Sequence, residues 1–253
     1  MIGGIRNWWR RRTARSASVA ADLWRRVEER LPFLGHLSAD ERRRLRQLAL
    51  EFLATKEFSG ARGFIVHDQA RLAIALQACL LILHLGLDYY DDWIGIVVYP
   101  GDFVIPRALM DEVGVVHEFD DPVLGEAWEG GPVLLSWFDD PGELEGINVV
   151  LHEFAHKLDM RNGAADGMPA LPPRMSRQAW QSAFHAAYED FCQRIDAGEE
   201  TELDPYAAEA PAEFFAVMSE AFFETPQLLR GRYPAIYAQL RLFYGQHPAP
   251  SGR

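Results

Sequence analysis

Residues 148–159 read NVVLHEFAHKLD, and the H-E-x-x-H within them constrains this chain more than any other stretch. On an α-helix, side chains four positions apart lie one turn above each other on the same face. His152 and His156 can then aim two imidazole nitrogens at a point about 2.0–2.1 Å from each, the bond length that zinc takes. Glu153 stands beside them, within reach of a water on such an ion as general base. The pattern carries this meaning only in a helix. Ile147, Val150, Leu151, Phe154 and Leu158 supply the apolar stripe of helical period, which argues against a chance match. The histidines lie off that stripe, so one face is expected to meet the core and another to do chemistry. Asn162-Gly163 gives a stop signal. A second H-E-F, His117-Glu118-Phe119, has Asp121 where the second histidine would stand and no helical stripe around it. It reads as a loop or strand end with a solvated acidic run.

The chain has 253 residues, enough for one large domain or two small ones with a buried core. Lysine and arginine number 25 against 37 acids, a net charge of −12, so direct nucleic-acid binding is not expected. Cys79 and Cys192 have neither zinc nor redox spacing, which fits a reducing compartment. No apolar run is long enough to span a membrane, and the N-terminus lacks a secretory h-region. A cytoplasmic protein is the expectation. Charge is uneven: residues 1–46 carry net +7 and the remainder −19. Trp8-Trp9-Arg10-Arg11-Arg12 and Trp24-Arg25-Arg26 fall in the basic part, which reads as a solvated helix with an aromatic anchor or a loose end. An interfacial helix or a site for an acidic partner is the alternative.

Along the chain, Ser38-Ala39-Asp40-Glu41 is a capping box opening a helix. Residues 56–64 read as a turn or short strand, and Asp68 is expected to cap a long, nearly all-apolar core helix through residues 70–85. Residues 93–99 and 132–138 read as strands, 103–105 as a strand returning beside the first, and 113–116 as a weaker one. The strand at 132–138 is a candidate border of the cleft, able to pair with an extended peptide, or else an ordinary core strand. The acidic run at 139–145 suits the dipole of the following helix; it is also a candidate receiver of a substrate's amino terminus. Ser176 caps a helix through Ile195, Pro211 opens one through Phe223, and a last helix covers 233–244. His36, His67, His84, His185 and His247 stand apart from metal-ligand spacing and read as packed or capping residues.

A catalytic zinc takes three protein ligands and keeps one position open. Asp159 and Asn162 replace the glycine and last histidine of H-E-x-x-H-x-x-G-x-x-H, so the third ligand must come from another segment. Glu209, Glu213, Glu220 and Glu224 are the downstream candidates. Glu213 and Glu220 share a helix face, and charge chemistry alone does not separate the four. Asp159 is either a residue orienting a ligand imidazole or a solvated helix-end acid.

The runs NVVLHEFAHKLDMRNG (148–163), DPYAAEAPAEFFAVMSEAFF (204–223) and residues 233–248 resemble the Mlc titration factor A family of zinc peptidases. The likeness is strong over the C-terminal 110 or so residues and weaker over the rest. That family is similar to the catalytic domain of anthrax lethal factor, a gluzincin-type zincin. The resemblance implies an α+β fold, mainly helical and zincin-like, with a small mixed sheet and an H-E-x-x-H active-site helix. It implies one Zn2+ held by His152, His156 and Glu213, with Glu153 as general base and Tyr206 stabilising the oxyanion. The expected organisation is an N-terminal basic and aromatic segment (1–35), a metallopeptidase domain (36–247) and a loose tail (248–253). The expected function is zinc-dependent, aminopeptidase-type hydrolysis of a peptide substrate. The alternative is a regulatory protein that sequesters a transcriptional repressor of the glucose phosphotransferase system, with zinc structural or catalysis secondary.

Overall fold

The computed structural model describes residues 19–110, 116–138 and 148–249. The Trp8–Arg12 run, the acidic run at 139–145 and Ile147 lie outside these residues. Eight helices are described: α1 (Ala21–Glu29), α2 (Ala39–Thr55), α3 (Asp68–Leu81), α4 (Val149–Asp159), α5 (Arg177–Asp196), α6 (Pro211–Glu224), α7 (Pro226–Arg232) and α8 (Pro234–Tyr244). Six strands accompany them: β1 (Glu57–Gly60), β2 (Gly95–Pro100), β3 (Phe103–Met110), β4 (Val116–Val123), β5 (Gly125–Ala127) and β6 (Val133–Trp137). The fold is therefore α+β, mainly helical with a small mixed sheet. No described helix is long and apolar enough to cross a membrane.

The sheet runs in the order β1-β2-β6-β5. β1, β2 and β6 are parallel, while β5 is antiparallel to β6 and forms the edge. β6 is thus an interior strand, and the edge that borders the cleft belongs to β5. β3 does not return beside β2; it pairs antiparallel with β4 in a separate ribbon. The acidic run around Glu118 is accordingly a strand, because cross-strand pairing with Arg107–Met110 supplies backbone partners that a local pattern cannot reveal.

Local signals fix most helix ends. Ser38 and Glu41 form the expected capping box, with Glu41 N–H donating to Ser38 Oγ at 3.3 Å and Ser38 N–H to Glu41 Oε2 at 2.9 Å. Ala179 N–H donates to Ser176 Oγ at 3.2 Å and opens α5. At α3, His67 rather than Asp68 occupies the cap position, and Asp68 sits in the first turn, where its charge suits the dipole. Pro226 starts α7, a short helix the sequence reading did not separate from its neighbours.

One core joins these parts. Phe154 of α4 sits among Phe52, Tyr90 and Trp93, with ring centroids 5.8, 5.5 and 5.6 Å away. Trp180 of α5 stacks on Phe184 at 4.2 Å and meets Phe215 of α6 and Phe243 of α8. Trp24, Val27 and Leu31 from the N-terminal segment are buried in the same core. Ala249, at the start of the tail expected to be loose, is fully buried. Its N–H donates to the Tyr237 hydroxyl at 3.0 Å, and its carbonyl accepts from Arg230 at 3.1 Å. Those two bonds hold the chain down to that point.

Phe154→Ala is expected to lower unfolding stability by about 3–5 kcal/mol, because a fully buried ring between three others leaves a cavity. The midpoint of urea unfolding checks it, and a loss below about 1 kcal/mol would contradict this packing.

Candidate metal centre

All residues of α4 are buried, including the five that carry charge or imidazole. The expected chemical face is therefore the floor of a cleft and not an open surface. The helix begins where Asn148 Oδ1 accepts the Leu151 N–H at 3.0 Å. Val150, Leu151, Phe154 and Leu158 face the core, as the apolar stripe requires.

On the other side, α6 lies against α4 and brings Glu213 from its first turn to the two histidines. His152 Nε2 and Glu213 Oε2 are 3.0 Å apart, His156 Nε2 and Glu213 Oε2 3.1 Å, and the two Nε2 atoms 3.1 Å. A tetrahedral ion with bonds of about 2.0–2.1 Å has ligand edges of about 3.3–3.4 Å, so this triangle is close to the base of one. Three acceptor atoms pointing at one another repel unless positive charge lies between them. The imidazoles and the carboxylate also shift one another's charge. Burial opposes the charged form of His152, yet hydrogen bonds to Glu213 and Glu220 outweigh it and hold its pKa well above the usual value. Burial also pushes Glu213 up, but the hydrogen bonds and charge of both histidines prevail and bring it down to about 2. The donor set of two imidazoles and one carboxylate fits a divalent transition ion.

Of the four downstream glutamates, each has a different place. Glu213 completes the triangle. Glu220, two turns further along α6, accepts from His152 Nδ1 at 2.7 Å, which leaves Nε2 as the lone pair facing the centre. Its other oxygen accepts the Asn148 N–H at 2.7 Å, so one carboxylate ties the ligand to the start of its own helix. Glu224 accepts from Asn148 Nδ2 at 2.8 Å, while Glu209 lies exposed at the cleft rim. The role of Glu220 escaped the sequence reading, which had it only as a competing ligand.

Glu153 is buried beside the triangle, and its Oε2 has no hydrogen-bond partner. Burial pushes its pKa up to about 7 against the pull of the two histidines. Its side chain packs over Gly125 of β5 so closely that a Cβ there would lie 2.5 Å from Oε1. Tyr206 sits on a short 3₁₀ turn, Pro205–Ala208, where Asp204 Oδ1 accepts its N–H at 2.9 Å. Its ring centroid is 6.2 Å from that of His152, and it is 45% exposed at the cleft mouth.

Asp159 is fully buried, so it is not a solvated helix-end acid. It makes no hydrogen bond to either histidine. Instead Oδ2 accepts the Gly167 N–H at 2.7 Å, while burial pushes its pKa up to about 6. Gly167 has φ +79°, and a Cβ there would come within 2.6 Å of the Pro211 carbonyl oxygen. Asp159 thus ties the end of α4 to a loop pressed against the first turn of α6, the turn that carries Glu213. Of the isolated histidines, His36 bonds Phe33 and Gln246, His84 meets Glu41 and His247 meets Tyr237, while His67 and His185 are exposed and neither is packed in the core nor caps a helix through its side chain.

The cleft over this centre has a volume of about 510 Å³. Its described lining includes six acids (Glu126, Glu153, Asp204, Glu209, Glu213 and Glu220) and neither lysine nor arginine. A larger cavity of about 870 Å³ beyond Asn148 is walled by groups such as Phe33, Trp137 and Phe223 and takes in none of the triangle. Glu220→Ala is expected to weaken metal binding about 10–100-fold, since His152 would lose the group that orients it. Competition against a chelator checks this, and unchanged affinity would count against that role.

The sequence model of the family described as "Glucose-regulated metallo-peptidase M90" matches residues 5–245. Mlc titration factor A of Escherichia fergusonii is 40% identical over 223 residues, covering 86% of this chain and 84% of the relative. The proteins of the same name from Enterobacter sp. (strain 638) and Klebsiella pneumoniae (strain 342) align with the same identity and coverage. A His-His-Glu triangle in the cleft floor and a match across nearly the whole chain agree, and the chain belongs to the M90 metallo-peptidase family.

Proposed function

We propose that the chain is a zinc-dependent peptidase of aminopeptidase type, acting on peptides in the cytoplasm. The observation that carries this reading is the convergence of His152, His156 and Glu213 beside a buried Glu153 whose Oε2 has no hydrogen-bond partner. Held by His152, His156 and Glu213, a zinc ion would supply Lewis acidity and lower the pKa of a bound water to about 7. Glu153 takes the proton of the attacking water at Oε2 and passes it to the leaving amine. Its burial favours that exchange, because a base is most effective with a pKa near the working pH. Tyr206 at the cleft mouth donates its hydroxyl to the oxyanion that develops at the scissile carbonyl.

The edge strand supplies the binding surface. Ser136 N–H donates to Leu124 O at 2.7 Å, and Trp128 N–H to Pro132 O at 3.2 Å. Alternation along β5 then directs the backbone groups of Gly125 and Ala127 away from β6, where both residues line the cleft. An extended peptide adds there as a further strand. The six acids among the described residues lining the cleft favour a positively charged group, which an α-amino terminus provides.

The name of the similar proteins supports a second reading, that the chain binds a repressor of the Mlc kind. The two readings part at Glu153, which hydrolysis requires and protein binding does not.

Glu153→Gln is expected to keep the metal and lose roughly 100–10,000-fold in turnover of aminoacyl and short peptide substrates. Turnover and bound zinc, measured together, check this. Full metal with no turnover in either protein on any substrate would favour the binding reading. Gly125→Ala is expected to leave metal content unchanged and slow turnover, because the added methyl displaces the Glu153 carboxylate it would touch. Steady-state kinetics on the same substrates decide it; a rate equal to wild type would count against that contact.

A further inference from the structure

Lys157 follows His156 on α4, yet it does not reach the triangle. Its side chain is only 1% exposed, and it bonds two backbone carbonyls, Trp128 O at 2.7 Å and Gly131 O at 3.2 Å. Its ammonium also lies 5.1 Å from the centre of the Trp93 ring. Asp92 and Glu129 are the acids whose charge acts on it. Burying an ammonium costs far more than burying a methionine of the same reach, so its position calls for a specific return.

The two carbonyls sit at the corners of the β5–β6 connection. Gly131 N–H donates to Trp128 O at 3.0 Å, and a Cβ on Gly131 would lie 2.9 Å from that of Trp128, so the turn is tight. β5 is therefore attached to α4 at two points. Gly125 rests on Glu153 at one end, and Lys157 grips Trp128 and Gly131 at the other. Between them lies Ala127, whose backbone groups face the cleft.

We propose that Lys157 is a positioning residue for substrate, holding edge strand β5 at the height over α4 where a peptide paired with Gly125 and Ala127 meets the His152–His156–Glu213 centre. The proposal rests on the peptidase reading and adds a substrate consequence to it. The clamp acts through the strand, so it matters for peptides long enough to pair with β5 and much less for single-residue amides.

The test uses the full-length, zinc-loaded protein as wild type, Lys157→Met and Lys157→Arg. Amide hydrogen exchange is followed at residues 124–128, with α4 as internal control, alongside kcat and KM for a pentapeptide and for alanine p-nitroanilide. In Lys157→Met, exchange at 124–128 is expected to speed at least about tenfold while α4 keeps its protection. The pentapeptide KM should rise about tenfold with kcat within about twofold, and the anilide KM should move less than about threefold. Lys157→Arg, which keeps a cationic donor, should restore most of both. Unchanged exchange at β5, faster exchange throughout the chain, or equal losses on both substrates would each overturn the assignment to Lys157. A wild type that cleaves neither substrate would instead overturn the peptidase reading and, with it, the substrate role given to Lys157.

Discussion

Mutual repulsion among buried acceptors is the constraint on which this structure turns. His152, His156 and Glu213 hold three polar atoms within 3.1 Å of one another in a largely buried cleft floor. In a low-dielectric site such an arrangement persists only around positive charge. The opposed shifts of His152 and Glu213, one up and the other down, come from their contact, since each favours the charged form of the other. Everything adjacent holds the donors at this separation. Glu220 fixes the tautomer of His152, Asn148 joins Glu220 to the start of α4, and Gln77 of α3 accepts from the Asn148 amide at 2.8 Å. The polar chain therefore runs from the core helix α3 to the ligand imidazole. On the opposite face of α4, Phe154 among three aromatic rings fixes the helix by packing.

A second set of contacts sets how the cleft is framed. Asp159, Gly167 and Pro211 join the end of α4 to the beginning of α6, so the helix with two ligands is tied to the helix with the third. Gly125 and Lys157 join α4 to the edge strand. Two of these contacts depend on glycine for different reasons. At Gly167 both the positive φ and the approach to Pro211 require it, whereas at Gly125 the Glu153 carboxylate occupies the space of a side chain. The cleft is acidic because one ligand (Glu213), the group behind another (Glu220), the base and the rim residues carry carboxylates. That concentration favours a cation, whether a metal ion or the charged end of a peptide.

What was legible in the sequence follows the range of the interactions involved. The α4 helix, its core stripe and its two histidines are local, and H-E-x-x-H within a period of 3.6 reveals them directly. The caps at Ser38 and Ser176 are local in the same way. Glu213 became distinct from Glu209, Glu220 and Glu224 only through resemblance to a family, because the choice depends on how α6 lies across α4. The same crossing gives Glu220 its place behind His152, and no local pattern carries that. Strand partners were the weakest point. β3 pairs with β4 and not with β2, and β5, only three residues long, takes the cleft edge, which makes residues 132–138 the ordinary core strand of their two readings. Sequence alone leaves Asp159 as either an imidazole partner or a solvated acid. Its actual partner, the Gly167 N–H, lies in a Gly- and Pro-rich loop whose path sequence does not fix.

Zinc K-edge X-ray absorption on the full-length chain, purified without chelators, tests the central claim most directly. Two imidazole nitrogens and oxygen donors at about 2.0–2.2 Å, with one zinc per chain, are expected from His152, His156, Glu213 and a solvent position. A sulfur shell at about 2.3 Å, or a wild-type chain that takes up no zinc, would contradict it.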